Sequence, residues 1–307
     1  MKKILKWIGF SLCGLVGIAA FGALYTYFVS EHELTKIYDI PLESYTAPSD
    51  EVSIHRGKRL ATMVGCANSC HGTNMEGRVL FDEPNIARII APNLSKVLNE
   101  YSDPELLRLL RHGMKRDGTT TWVMPSAMFA HISEEDLGDI IAYVRSAPAQ
   151  EGPMRETTMR PLGRLGIVMG QFAPVVQQVD HNLHPPATTD TRDPLRYGEY
   201  LVMTTCSECH GQDLKGHDFL KAPNLLAAQA YSEEAFFHLM RTGLGVGDRK
   251  LGKMTEAGST RFPQLTDDEV RSIKLYLNAY AKANGVMSEV KTLQANSHAG
   301  EGSLPPG

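Results

Sequence analysis

The sequence predicts an all-α chain: one N-terminal transmembrane helix, then a helical module of about 95 residues used twice in tandem. Three observations predict it. An uncharged run of 23 residues, Trp7 to Val29, follows Lys2, Lys3 and Lys6. Two cysteine pairs, each closed by histidine and glycine, divide the remainder: Cys66-Ala-Asn-Ser-Cys70-His71-Gly72 and Cys206-Ser-Glu-Cys209-His210-Gly211. Beyond each pair the same landmarks recur in the same order.

As a helix the apolar run spans roughly 34 Å, enough for the hydrocarbon core of a bilayer. Ala20-Phe21-Gly22 could serve as a signal-peptide cleavage site, but the run continues through Leu24, Tyr25, Tyr27 and Phe28. Residues 1–30 are therefore expected to be an uncleaved signal-anchor. Three lysines before it, with Glu31 and Glu33 after it, place the N-terminus inside and the bulk of the chain in the periplasm. Residues 31–50 follow as an acidic stalk. Lys+Arg 31 against Asp+Glu 35 gives a net charge of −4, which excludes a nucleic-acid binder built on a basic surface. Five cysteines are too few for a disulfide scaffold, and Cys13 reads as a buried thiol in the membrane.

Cys206 to His210 has the C-x-x-C-H spacing. Two thiols on one helical turn can each form a thioether to a haem vinyl group, and the next residue is carried under the iron. Cys66 to His71 is the same pattern with one residue more. Cysteine pairs also bind zinc, and the repeat decides between the two chemistries. Cys70-His71-Gly72 leads to Gly77 as Cys209-His210-Gly211 leads to Gly216, and Ala91-Pro92-Asn93-Leu94 recurs as Ala222-Pro223-Asn224-Leu225. Tyr101-Ser102 and the helix ending Arg111, Gly113 recur as Tyr231-Ser232 and a helix ending Arg241, Gly243. Eleven residues beyond those glycines stand Met124 and Met254. Ser133 and Thr266 are helix N-caps with an acid at the third position, Asp136 and Glu269, and each opens a helix bearing a tyrosine, Tyr143 and Tyr276.

Each copy resembles a class I cytochrome c domain, over 51–148 and 191–284, and the pair resembles the membrane-anchored dihaem cytochromes c of bacteria. That resemblance implies two covalently attached haem c groups, on Cys66 and Cys70 and on Cys206 and Cys209, with His71 and His210 as proximal iron ligands. It implies an N-terminal helix crossing a C-terminal one at Gly57 and Gly198, against Tyr143 and Tyr276. The Pro92 and Pro223 carbonyls would each accept a hydrogen bond from the ligand histidine, which fixes its tautomer. The C-x-x-x-C-H spacing departs from the usual pattern and leaves open how the first haem is attached.

Histidine on one side of the iron and methionine on the other make a low-spin electron carrier. Met124 and Met254 are the expected distal ligands because they stand alike in the two copies; Met128 is the rival in the first. His112, His131 and His238 would be ligands in a bis-histidine variant, yet none recurs between copies. Arg111 and Arg241 do recur, and would either pair with a haem propionate or cap their helix C-termini. Residues 149–190 form a proline-rich segment whose apolar middle, Leu165 to Val176, is expected to pack across one or both domains. Residues 285–307 read as a disordered tail. The resulting expectation is a carrier on the outer face of the cytoplasmic membrane. It would take electrons from a dehydrogenase or another donor and pass them to an oxidase or a soluble cytochrome. The competing reading is a dihaem enzyme, such as a peroxidase or a sulfur-compound dehydrogenase, using the unusual first haem. The chain shows no catalytic constellation of its own.

Overall fold

The computed structural model describes residues 2–153, 157–218 and 220–300, with backbone alone over 286–300. It is mostly helical. The principal helices are α1 (Lys2–Thr35), α2 (Glu51–Met63), α3 (Asp103–His112), α4 (Glu134–Ser146), α5 (Pro161–Val168), α6 (Pro194–Thr205), α7 (Glu233–Thr242), α8 (Lys253–Thr260) and α9 (Asp267–Gly300). α1 is exposed over its apolar window and is long and apolar enough to cross a membrane, while Ser30 near its end is buried. α9 continues as helix to Gly300, so residues 285–300 are helical where the composition suggests disorder. No proline interrupts that stretch, and Glu289, Lys291, Leu293, Gln294 and two alanines favour helix within it. The remainder of the expected tail, 301–307, lies outside the described residues.

The chain forms two compact units, one of Met1–Thr46, Cys70–Ala127 and Ala147–His181, the other of Ala47–Ser69, Met128–Ser146 and Asn182–Gly307. Their composition differs from the two sequence modules: α2 and α4, the ends of the first copy, belong to the second unit. In the first unit, residues inserted before Ala91 form an antiparallel hairpin, β1 (Arg78–Glu83) and β2 (Ala87–Ala91). A short strand of the proline-rich segment, β3 (Thr158–Met159), extends it. This small sheet is a local addition to the mostly helical fold; among the described residues the second copy has only an isolated bridge, His217 to Ala222, at the equivalent place. α5 follows β3, and Arg164 on it pairs with Glu31 at 2.8 Å and lies 4.9 Å from the Tyr27 ring centroid at the end of α1. Ile167, Val175 and Val176 of the same segment are buried.

The second unit is built from two helix crossings of one design. α2 crosses α4 and α6 crosses α9. At the first, a Cβ on Gly57 would collide with the Asp139 carbonyl and stand 2.9 Å from the Tyr143 Cβ. At the second, a Cβ on Gly198 would collide with the Ser272 carbonyl and stand 3.0 Å from the Tyr276 Cβ. Each glycine thus lets two backbones touch one turn before the tyrosine.

Polar pairs then relate the two crossings reciprocally. Arg59 on α2 reaches Glu269 on α9, while Tyr200, its counterpart on α6, donates to Asp136 on α4 at 2.6 Å. Within each copy, Arg56 pairs with Asp136 at 3.2 Å and its counterpart Tyr197 donates to Glu269 at 2.7 Å. Counting from Gly57 and Gly198, these positions match one for one. Two similar surfaces that contact each other through the same positions form an isologous interface, as in a twofold dimer. Here both surfaces lie in one chain.

Helix capping follows the sequence with one departure. Ser102 caps α3 with Glu105 reaching back, and Ser232 caps α7; left-handed Gly113 (φ +69) and Gly243 (φ +71) end them. Thr266 and Glu269 exchange both hydrogen bonds of a capping box at α9. At α4, Ser133 accepts from the Asp136 N–H, but the Asp136 carboxylate turns away to Tyr200 and Thr189.

Candidate functional site

Cys206 ends α6 and opens a single helical turn, in which the Cys209 and His210 N–H groups return to its carbonyl at 3.2 and 3.0 Å. The turn puts both thiols before the histidine on one short rigid element. His210 Nδ1 lies 2.7 Å from the Pro223 carbonyl oxygen. A carbonyl can only accept, so Nδ1 carries the hydrogen and Nε2 keeps the lone pair that binds a metal. Burial lowers the His210 pKa below the ordinary imidazole value, against the raising effect of the Pro223 bond, and favours the neutral ring. Burial also pushes the Cys206 thiol up to about 11.

The loop between histidine and proline is the same in both copies. Gly77 N–H donates to the His71 carbonyl and Gly216 N–H to the His210 carbonyl, each at 2.8 Å. Left-handed backbone falls at Gly72, Met75 and Gly77 (φ +81, +61, +78) and at Gly211, Leu214 and Gly216 (φ +80, +59, +104). A Cβ on Gly77 would stand 2.6 Å from the Asn93 nitrogen, and one on Gly216 2.6 Å from the Ala222 oxygen. The loop therefore folds tightly enough to bring Pro92 to 2.9 Å from His71 Nδ1, although the β1–β2 hairpin intervenes. Burial lowers the His71 pKa as well.

The extra residue in the first motif is absorbed between the cysteines. Ala67 is extended (φ −84, ψ 153) and Asn68 is left-handed (φ 59, ψ −1). Asparagine adopts that conformation more readily than most residues with a side chain. Cys66 is buried, Cys70 is half-buried, and no disulfide joins cysteines among the described residues.

Met124 and Met254 are half-buried, Met254 at the start of α8; Met128 is fully buried among core side chains. The three alternative histidines have protein partners. His112 meets His181 at 2.9 Å, His131 meets Gln212 at 2.9 Å and His238 meets Asp248 at 2.9 Å. Arg111 is buried and pairs with Glu43 of the stalk at 3.7 Å. Arg241 donates to the Phe262 carbonyl and to Asp267 at 3.1 and 2.7 Å, tying α7 to the start of α9. The ends of α3 and α7 are instead closed by the N–H groups of Gly113 and Gly243.

The residues that sequence reasoning missed are Arg261 and the reciprocal acids Asp136 and Glu269, read there only as N-terminal acids. Arg261 ends α8, pairs with Glu208 at 2.7 Å and donates to Ser69 Oγ at 3.2 Å. A Cβ on left-handed Gly65 would collide with its guanidinium. The one sequence signal was position: Arg261 stands seven residues after Met254, as His131 stands seven after Met124.

Paired thiols, a neutral imidazole with Nε2 free to ligate, and a thioether on a following loop or helix fit covalent haem, which supplies the electron-accepting iron. Among the described residues no three His, Cys, Asp or Glu side chains converge as a cage for a bare metal ion. Residues 54–148 and 195–280 match the Cytochrome c family, together more than half of the chain. The chain belongs to the cytochrome c family, as two domains in tandem that carry covalently bound haem c.

It is similar to the fructose dehydrogenase cytochrome subunit of Gluconobacter japonicus, 26% identical over 80% of this chain and 56% of that one. The cytochrome c subunit of alcohol dehydrogenase (quinone) from Gluconacetobacter polyoxogenes is 23% identical over 76% of this chain and 57% of its own length. The gluconate 2-dehydrogenase cytochrome c subunit of Pantoea cypripedii is 26% identical over 75% and 60%. The chain thus spans a little over half the length of these curated relatives.

Proposed function

We propose that this chain is a dihaem electron carrier that takes electrons from a dehydrogenase and passes them to a respiratory acceptor. α1 tethers it to the cytoplasmic membrane with the N-terminus inside and both haem domains in the periplasm. The observation that carries this reading is the duplicated histidine–proline bond, which presets both imidazoles as iron ligands, each followed by an equivalently placed methionine. With histidine and methionine on its two sides an iron has no vacant position for a substrate, and its task is to carry single electrons. The three relatives are all named as cytochrome subunits of dehydrogenases, which supports a dehydrogenase as the donor.

The test is an absorption spectrum of the oxidised, haem-loaded protein. A long-wavelength methionine-to-iron band of two-haem intensity, with no high-spin signal, is the expected result. A Met254→Ala variant and a Met124→Ala variant should each remove half of it. A high-spin haem in the parent protein would instead support the peroxidase reading and overturn this one.

A further inference from the structure

We propose that Arg261 is the positioning residue for electron exchange between the two haems, because it joins the segments that carry them. The inference rests on the electron-carrier reading. One nitrogen of its guanidinium pairs with Glu208, which lies between Cys206 and Cys209. The other donates to Ser69 Oγ, which lies between Cys66 and Cys70 in sequence. The same side chain stands at the end of α8, the helix that presents Met254. Three segments expected to surround or attach haem therefore meet at one side chain of the second unit.

The junction is a built one. The Arg261 side chain is 14% exposed and that of Glu208 22%, so the ion pair is shielded from water and from salt. Gly65, immediately before Cys66, leaves the space the guanidinium fills, and its left-handed φ of +85 suits glycine. Arginine's planar fork can hold two acceptors on separate segments in fixed directions, which a lysine ammonium cannot. The reciprocal pairing described above gives the junction a counterpart. His131, placed alike after Met124, donates to Gln212 two residues beyond His210. Each ligand segment thus reaches toward the attachment segment of the other copy.

The exchange moves one electron: ferrous iron becomes ferric at one haem as ferric iron becomes ferrous at the other, and no bond is made or broken. Tunnelling falls steeply with separation, so the segments must hold their spacing.

The experiment uses the full-length, haem-loaded protein. Pulse radiolysis injects one electron into the oxidised protein, and the re-equilibration between the two haems is timed. Mass spectrometry counts haems in every variant. Arg261→Gln and Arg261→Lys are expected to keep two haems and slow the exchange severalfold. Ser69→Ala, which spares the Glu208 pair, is expected to slow it less. An unchanged rate in Arg261→Lys and Ser69→Ala, with two haems attached, would overturn the proposal even if Arg261→Gln fails to load. A parent protein in which the electron stays on the haem that first receives it would overturn the carrier reading itself.

Discussion

Gly198 faces Tyr276 across the α6–α9 crossing so closely that a Cβ on the glycine would stand 3.0 Å from the Tyr276 Cβ and collide with the Ser272 carbonyl. The carbonyl is backbone and cannot rotate away, so adding a methyl group must part the helices. Gly198→Ala is expected to destabilise the protein by about 2–3 kcal/mol, and Gly57→Ala by a similar amount. Gly285→Ala, in α9 with open space around it, should be neutral or stabilising by up to about 1 kcal/mol. Denaturant unfolding of the three haem-loaded variants checks the contrast.

Tyr200 gives its hydroxyl hydrogen to a carboxylate that is itself buried. Tyr200→Phe leaves Asp136 with Arg56 and Thr189 but one donor short. A loss of about 1–3 kcal/mol is expected, as for other hydrogen bonds to charged groups. A loss near zero would show that water or Thr189 replaces the hydroxyl.

Glu269 gives a pH dependence with a definite sign. Burial alone would raise its pKa, but hydrogen bonds from Arg59, Tyr197 and the Thr266 N–H outweigh it and hold the carboxyl below its ordinary 4.5. A group depressed on folding adds stability above its unfolded value and loses it as pH falls through the folded one. Melting temperature should therefore drop below about pH 4.5 more steeply in the parent than in Glu269→Gln. Parallel acid limbs would refute this.

The two attachment sites can be separated by mass. Cys206→Ser combined with Cys209→Ser should leave one covalent haem on the chain, and Cys66→Ser with Cys70→Ser likewise. Loss of both haems from either double variant would show that the sites load only together.

Much of this was legible because the repeat is written in residues whose roles are local. Glycines at 72, 77, 211 and 216 are needed where φ is positive, so both loops stand out in the repeat, while the return of Pro92 and Pro223 to the histidines was implied by the family resemblance. The capping acids were read as far as their own helices, but the partners of Asp136 and Glu269 lie on the opposite copy, where no local pattern points. Arg261 has the same difficulty, since its acceptors are 53 and 192 residues away in sequence. The β1–β2 hairpin was visible only as extra length before Ala91. Its pairing with Thr158–Met159 depends on a segment that sequence marks merely as proline-rich.

The left-handed turn at Asn68 has a consequence for how the protein is made. Inside the folded chain it costs little, because the added residue is spent between the cysteines and His71 still meets Pro92. Whatever enzyme joins haem to the chain, however, meets the thiols before folding has fixed them, and it must accept two spacings in one polypeptide. The organism's haem-attachment apparatus therefore sets a condition on expression: a host that recognises only C-x-x-C-H should yield a half-loaded protein with its second site filled. Deleting Asn68 should restore full loading there.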